Sequence, residues 1–336
     1  MPDVATIEDV AIRAGVSVAT VSRALRGLPH VSPATRERVS RIAAELDYRP
    51  NPHASRLAAG RSGTIGIALP LLNSWFYGNV LAGVETVLSD DQLDMHLVTV
   101  GGREAMERFV SGLPSLSKQV DGLVIVDVFM PDQLWEDLAG GNLPVATVGI
   151  DVGRFDSVLI DNLKAARGAV AHLLELGHRR IGFIGGAIGE SVEMESAEER
   201  RRGRVMALAD LGIDDDNDLQ MAGNFSVDGG REAMAQLLAG PRPTAVFCAS
   251  DEMAIGAMQA VADAGLSVPD DVSIVGFDDQ PVAAALGLTT VHQPVSAIAA
   301  RAAAMVLDRV GGLDAPPIRL EVATRLEVRR TTASTI

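Results

Sequence analysis

Residues 6–27 read TIEDVAIRAGVSVATVSRALRG, two short helical patterns separated by a turn. Ile7, Val10, Ala11 and Ala14 recur at helical spacing and make one apolar face. Thr6 stands before them as an N-cap. Glu8 and Asp9 put negative charge at the positive end of the helix dipole, and Gly15 ends the helix at the position that favours glycine. Ser17 caps a second helix in which Val21 and Leu25 turn inward while Val18, Ala19, Ser22 and Arg23 turn outward. A third helix opens at Ser32, has Pro33 in its first turn and runs to about Leu46. Three short helices with a glycine-bearing turn between the first two suit docking in a DNA major groove. Val18 and Ala19 are small enough to touch a thymine methyl, and Arg23 can reach guanine or phosphate. Thr6, Ser17, Thr20, Ser22, Ser32 and Thr35 offer hydroxyls to phosphates.

The 336-residue chain carries a formal charge of −15, which would repel a phosphate backbone. The charge is unevenly spread. Residues 1–62 hold nine arginines against six acids, a net +3, which leaves −18 for the rest. An acidic body with a basic head implies that only the head meets an anionic partner. With 47% apolar and 22% charged residues the chain is globular, and its single cysteine, Cys248, excludes an internal disulfide framework. No apolar stretch approaches the ~20 residues of a membrane helix. Asp3, Glu8 and Asp9 near the start replace the basic, then apolar, opening of a secretory signal. A cytoplasmic protein with no membrane partner is expected.

From Gly63 onward strand-like runs alternate with helical patterns. The strands are TIGIALP (64–70), MHLVTV (95–100), GLVIVDV (122–128), PVATVGI (144–150), RRIGFIGG (179–186), TAVFCAS (244–250) and SIVGFDD (273–279). Helical segments fall at 76–90, 162–176, 200–211, 228–238 and 252–265. Such alternation predicts parallel sheets covered by helices, and the strands are too many for one sheet, so two lobes are expected. The run Asp214, Asp215, Asp216, Asp218 lacks the glycine and final glutamate of a calcium loop and reads as a solvated turn. His30, His53, His96, His172, His178 and His292 show no metal-ligand spacing, and no G-x-S-x-G elbow is present. IGFIGGAIGE has glycines after a strand but not the G-x-G-x-x-G spacing, which leaves a nucleotide-dependent oxidoreductase as a weak alternative. No cofactor is expected.

The head, continued by HVSPATRERVSRIAAELDYRPN (30–51), resembles the LacI/GalR family of bacterial repressors, and the resemblance runs along essentially the whole chain. It implies an all-α helix-turn-helix head at 1–49, a hinge helix and linker at 50–62, and a periplasmic-binding-protein-like core of two doubly wound α/β lobes at 63–336. The chain would cross between lobes near 161–163, 288–293 and 320–324. The first lobe would take about 63–161 and 293–321, the second about 162–290 and 322–336. The DNA-binding set implied is Thr6, Ser17, Val18, Ala19, Thr20, Ser22, Arg23, Arg26, His30, Ser32 and Thr35 from the head, with Asn51, Ala54 and Leu57 from the hinge. Arg26 departs from the asparagine common in the family. In the hinge PNPHASRLAAG (50–60), Asn51 can cap, Pro52 fits the first turn and Gly60 can end a helix of about two turns, too short to be stable alone. The family's hinge forms on operator DNA, pairs with its twin and wedges a leucine, here Leu57, into the minor groove.

Polar and aromatic residues at strand carboxyl ends mark the cleft between lobes. Trp75, Phe76, Asp161, Arg200, Phe225, Ser250, Asp278 and Gln293 are the candidates, and the resemblance assigns them to effector binding. A carboxylate and an arginine fork can bond paired hydroxyls while aromatics stack on a sugar's apolar face. A sugar or sugar derivative is therefore the expected effector. Gly149 stands where the family often has an acid, with Asp151 two residues on as a possible substitute. A purine is disfavoured, because Met194 stands where the purine-responsive branch has a second arginine. The expected function is a DNA-binding transcriptional regulator, a repressor controlled by a small molecule. It would bind a pseudo-palindromic double-stranded operator as a homodimer, since no leucine heptads follow at the C-terminus. A sugar-binding protein of a transport system shares the core and is the other alternative, but it would lack the head.

Overall fold

The computed structural model describes residues 5–25, 27, 29–48, 60–128, 130–186, 195–240 and 242–335. It divides into two compact units, 1–63 and 64–336. Arg26, Asn51, Ala54 and Leu57, and with them most of the expected hinge, lie outside the described residues.

The head unit contains α1 (Ile7–Ala14), α2 (Val18–Leu25) and α3 (Pro33–Glu45). Thr6 and Asp9 form a reciprocal capping box at α1, and Gly15 closes that helix at φ 62°. Left-handed backbone there turns the chain into α2 at no steric cost only for glycine. Val10, Ala11, Ala14, Val21, Ala24, Val39, Ile42 and Ala43 make the small core. Ala24, rather than Leu25, sits fully inside with Val21, and Leu25 packs against the edge of the cluster. The helical rotation brings the small residue to the tightest point of contact.

The second unit holds two six-stranded sheets. In the first, β1 (Thr64–Leu69), β2 (Asp94–Thr99), β3 (Gly122–Val126), β4 (Val145–Val148), β5 (Asp156–Leu159) and β11 (Arg319–Glu321) lie in the order β2-β1-β3-β4-β5-β11, all pairs parallel. The second has β6 (Ile181–Gly185), β7 (Gln220–Ala222), β8 (Ala245–Cys248), β9 (Ser273–Asp278), β10 (Thr289–His292) and β12 (Arg325–Glu327). Their order is β7-β6-β8-β9-β10-β12, parallel except for the β10–β12 pair. The two sheets repeat one winding. Their central strands, such as GLVIV in β3 and AVFC in β8, are buried along their whole length, which is why they read as unbroken apolar runs. Cys248 is one of these core residues.

The connecting helices are α4 (Trp75–Asp90), α5 (Arg103–Leu116), α6 (Asp132–Ala139), α7 (Asn162–Glu175), α8 (Glu195–Ala209), α9 (Val227–Ala239), α10 (Asp251–Asp263), α11 (Pro281–Leu286) and α12 (Val295–Val310). The chain passes from β5 in the first sheet to α7 against the second, returns between β10 and α12, and runs from β11 to β12 across the same waist. The acidic turn at 214–218 is more than solvated. Asp215 holds the buried guanidinium of Arg204 at 2.5 Å, and Asp216 caps the short turn that follows.

Candidate functional site

In the head, local capping sets what faces outward. Ser17 accepts from the Thr20 amide at 3.2 Å, and its hydroxyl lies 2.9 Å from that of Thr20; Ser32 and Thr35 repeat the arrangement, with 2.8 Å between hydroxyls. Each pair sits at a helix N-terminus, where free backbone N–H groups and the dipole favour a phosphate. Burying Val21 and Ala24 turns Val18, Ala19 and Arg23 to solvent on α2, with Ser22 half-buried beside them. Val18 is 40% exposed, an apolar residue presented rather than packed. His30 is exposed, in left-handed backbone at φ 69°. Thr6 is engaged with Asp9, to which its hydroxyl donates at 2.8 Å.

The second unit has a cleft between its lobes, in two adjoining compartments that share Phe76, Asp127, Ser196 and Arg200. Arg200 on α8 is its centre, only 5% exposed. Its Nε donates to Asn162 Oδ1 at 2.9 Å and its Nη1 to the Ala249 carbonyl at 2.7 Å. The guanidinium lies 3.6 Å over the Phe277 ring and 3.9 Å from Asp278 Oδ1. Asp278, at the carboxyl end of β9, accepts from Gln293 Nε2 at 2.6 Å. Burial pushes its carboxyl up to about 7, against the lowering effect of Arg200 and Gln293. Phe225, Ser250 and Phe76, also expected, line the cleft with them. Ser250 also caps α10 through the Met253 amide.

Two expected residues stand elsewhere. Asp161 turns its carboxylate to the Lys164 amide at 2.8 Å as the N-cap of α7 and is not among the residues lining the cleft. Its neighbour Asn162, first in the helix and 2% exposed, faces Arg200 instead. Capping aims the N-cap side chain along its own helix, so the inward direction falls one residue later. Trp75 likewise is not among the described residues lining these two compartments; its backbone N–H donates to Glu252 at 2.9 Å, and its ring packs against the core. Asp151 does not stand in for an acid at 149: it pairs with Arg319 at 3.1 Å.

The cleft also contains residues that strand-end reasoning missed. Asp127, just past β3, accepts from Ser196 Oγ at 2.6 Å across the lobes. Burial raises its carboxyl to about 6, while the Ser196 bonds and Arg200 pull it down. Glu252 on α10 makes a second bridge, to the Trp75 amide and to the Ser74 hydroxyl at 3.5 Å. Asp127 lies near the carboxyl end of the strand-like run 122–128, and that position is its signal in the sequence; Ser196 and Glu252 have none. Asp127, Phe225 and Asp278 all adopt positive φ (48°, 51° and 116°). This is a concentration of backbone strain where side chains converge. Among the described residues no group of three or more His, Cys, Asp or Glu is placed to hold a metal ion. None of the helices there is long and apolar enough to cross a membrane.

Residues 6–51 match the family model for bacterial regulatory proteins of the lacI family, and 170–332 match the periplasmic-binding-protein-like domain. The HTH-type transcriptional regulator CelR of Thermobifida fusca is 36% identical, over 96% of this chain and 97% of its own length. A solved CelR–cellobiose complex is 34% identical, with TM-score 0.70 over 97% of this chain and 99% of that one. The lac repressor dimer bound to operator and an anti-inducer superposes with TM-score 0.84 at 30% identity, covering 99% and 100% of the two chains. The head with its outward α2 face, the two-lobed core and these relatives agree: the chain belongs to the LacI family of bacterial regulatory proteins, which are DNA-binding transcriptional regulators and not enzymes.

Proposed function

We propose that this regulator is a repressor that binds a pseudo-palindromic operator as a homodimer, and that a sugar held between the core lobes controls its affinity. The observation that carries the ligand reading is the buried Arg200–Asp278 pair, which lines one cleft together with Phe76 and Phe225. A guanidinium fork and a carboxylate bond neighbouring hydroxyls, and the aromatic walls cover a sugar's C–H face. The CelR–cellobiose complex supports a sugar, and the lac repressor dimer on its operator supports two heads on one site. Val18, Ala19, Ser22 and Arg23 would meet base edges; the hydroxyls of Ser17, Thr20, Ser32 and Thr35 would meet phosphate; Leu57 would enter the minor groove. The protein acts in the cytoplasm, where the operator is. Arg200, Phe225, Ser250, Asp278, Gln293 and Phe76 form the effector site, joined by Asn162, Asp127 and Glu252.

The test is binding of the purified protein to the DNA upstream of its own gene, with and without a panel of sugars, over a range of salt. Specific binding that weakens steeply with salt and is altered by one sugar is expected. Binding that no sugar alters would overturn the effector reading, and absence of specific binding at any salt would overturn the operator reading. Light scattering at low concentration should give a dimer mass; a tetramer would contradict the stoichiometry.

A further inference from the structure

The charge of the cleft selects among ligands. Three carboxylates line it, Asp127 from the first lobe and Glu252 and Asp278 from the second, and Arg200 is the single cation among the described lining residues. Arg200 is partly engaged by the protein itself. Its Nε and Nη1 donate to Asn162 and to the Ala249 carbonyl, its face stacks on Phe277, and Asp278 lies within 3.9 Å. An anionic ligand would meet one cation already paired with Asp278, and two further acids that also bridge the lobes, Asp127 to Ser196 and Glu252 to Trp75. In so buried a space, like charges repel far more strongly than in water.

Asp127 is the acid best placed to act on a ligand. A Cβ built on Gly149, at the end of the neighbouring strand, would lie 3.6 Å from Asp127 Cβ and 3.8 Å from its Oδ1. Gly149 has φ 84°, so a side chain there would be strained. No side chain at position 149 therefore covers this flank of the carboxylate, and both residues line the same compartment. The one acid that follows in the loop, Asp151, is turned away to Arg319.

We propose that the cleft takes an uncharged or amine-bearing polyhydroxylated ligand and rejects its phosphorylated or carboxylated counterpart, with Asp127 as the selecting residue. This rests on the reading of the cleft as a sugar site and narrows it. Burial lifts the carboxyls of Asp127 and Asp278 to about 6 and 7, so the measurement belongs at pH 8, where both are ionised.

The experiment uses matched pairs on the full-length protein, read by calorimetry and by thermal shift: glucose with glucose 6-phosphate, galactose with galacturonate, cellobiose with cellobionate, glucosamine with glucosamine 6-phosphate, and adenosine with adenosine monophosphate. The expected result is binding by a neutral or amine-bearing member at least tenfold tighter than by its anionic partner. In Asp127→Asn, which keeps an acceptor for Ser196, that ratio should shrink at least fivefold. Tighter binding by the anionic member of a sugar pair overturns the proposal and leaves the sugar reading standing. Binding of adenosine alone, with no sugar bound, overturns the sugar reading and supports the charge selection. No binding in any pair overturns both, and an unchanged ratio in Asp127→Asn removes Asp127 as the selector.

Discussion

Replacing Asp278 with Asn separates the charge of this side chain from its shape. The site tolerates the change sterically. Asparagine accepts positive φ better than most residues, as the 116° here requires, and its Oδ1 keeps the 2.6 Å bond from Gln293. The ionisation is lost, and the second carboxylate oxygen becomes an NH2 donor. In the native state the carboxyl titrates near 7, against about 3.9 in an unfolded chain. Between those values the folded protein holds a proton that the unfolded chain has released, so stability falls as pH rises from about 4 to 7 and is level above. Three units at about 1.4 kcal/mol each set an upper bound of about 4 kcal/mol on that fall. Loss of a countercharge for Arg200 at 3.9 Å offsets part of the gain in the variant, leaving about 1–3 kcal/mol. Urea unfolding of the core at pH 5 and pH 8 should therefore show a smaller pH dependence in Asp278→Asn than in the parent. Effector affinity moves the other way. Exchanging a charge-assisted hydrogen bond for a neutral one costs about 1–2 kcal/mol, or roughly 5- to 30-fold in Kd. Operator affinity without effector should stay within about twofold. An identical pH slope in the two proteins would place the buried ionisation elsewhere, and an unchanged effector response would refute the assignment of Asp278 to the site.

Three further substitutions probe other parts of the chain. Gly15→Val forces a β-branched residue into φ 62° and should destabilise the head by about 1–3 kcal/mol, with operator binding lost in a gel shift and core unfolding unchanged in urea. Asp215→Ala strands the guanidinium of Arg204, whose side chain is only 1% exposed, and should lower core stability by about 3–5 kcal/mol, seen as a drop in the urea midpoint. Leu57→Ala should weaken operator binding at least tenfold while calorimetry finds the effector affinity unchanged, as expected of a minor-groove wedge.

Much of this protein is decided locally. The turn at Gly15, the caps at Thr6, Ser17 and Ser32 and the inward Val21 each depend on residues within one helical turn, so they are written into consecutive sequence. The buried parallel strands are equally local, because a strand covered on both faces is apolar throughout. Ser250, Asp278 and Gln293 could be named because the ends of such strands, and the crossing beside them, converge on one cleft, whereas Arg200 and Phe225 are singled out by the family resemblance. What lies opposite them depends on the tertiary structure. Asp127 meets Ser196 across 69 residues and Glu252 meets Trp75 across 177, contacts that exist only where the two lobes face each other. The shift from Asp161 to Asn162 is of the same kind: both are polar and adjacent, and only the direction in which α7 sets out decides which one caps the helix and which one faces Arg200. Local hydrogen bonding and periodicity specify elements from sequence alone, whereas a site shared between lobes is specified by the chain crossings that bring distant side chains within bonding distance.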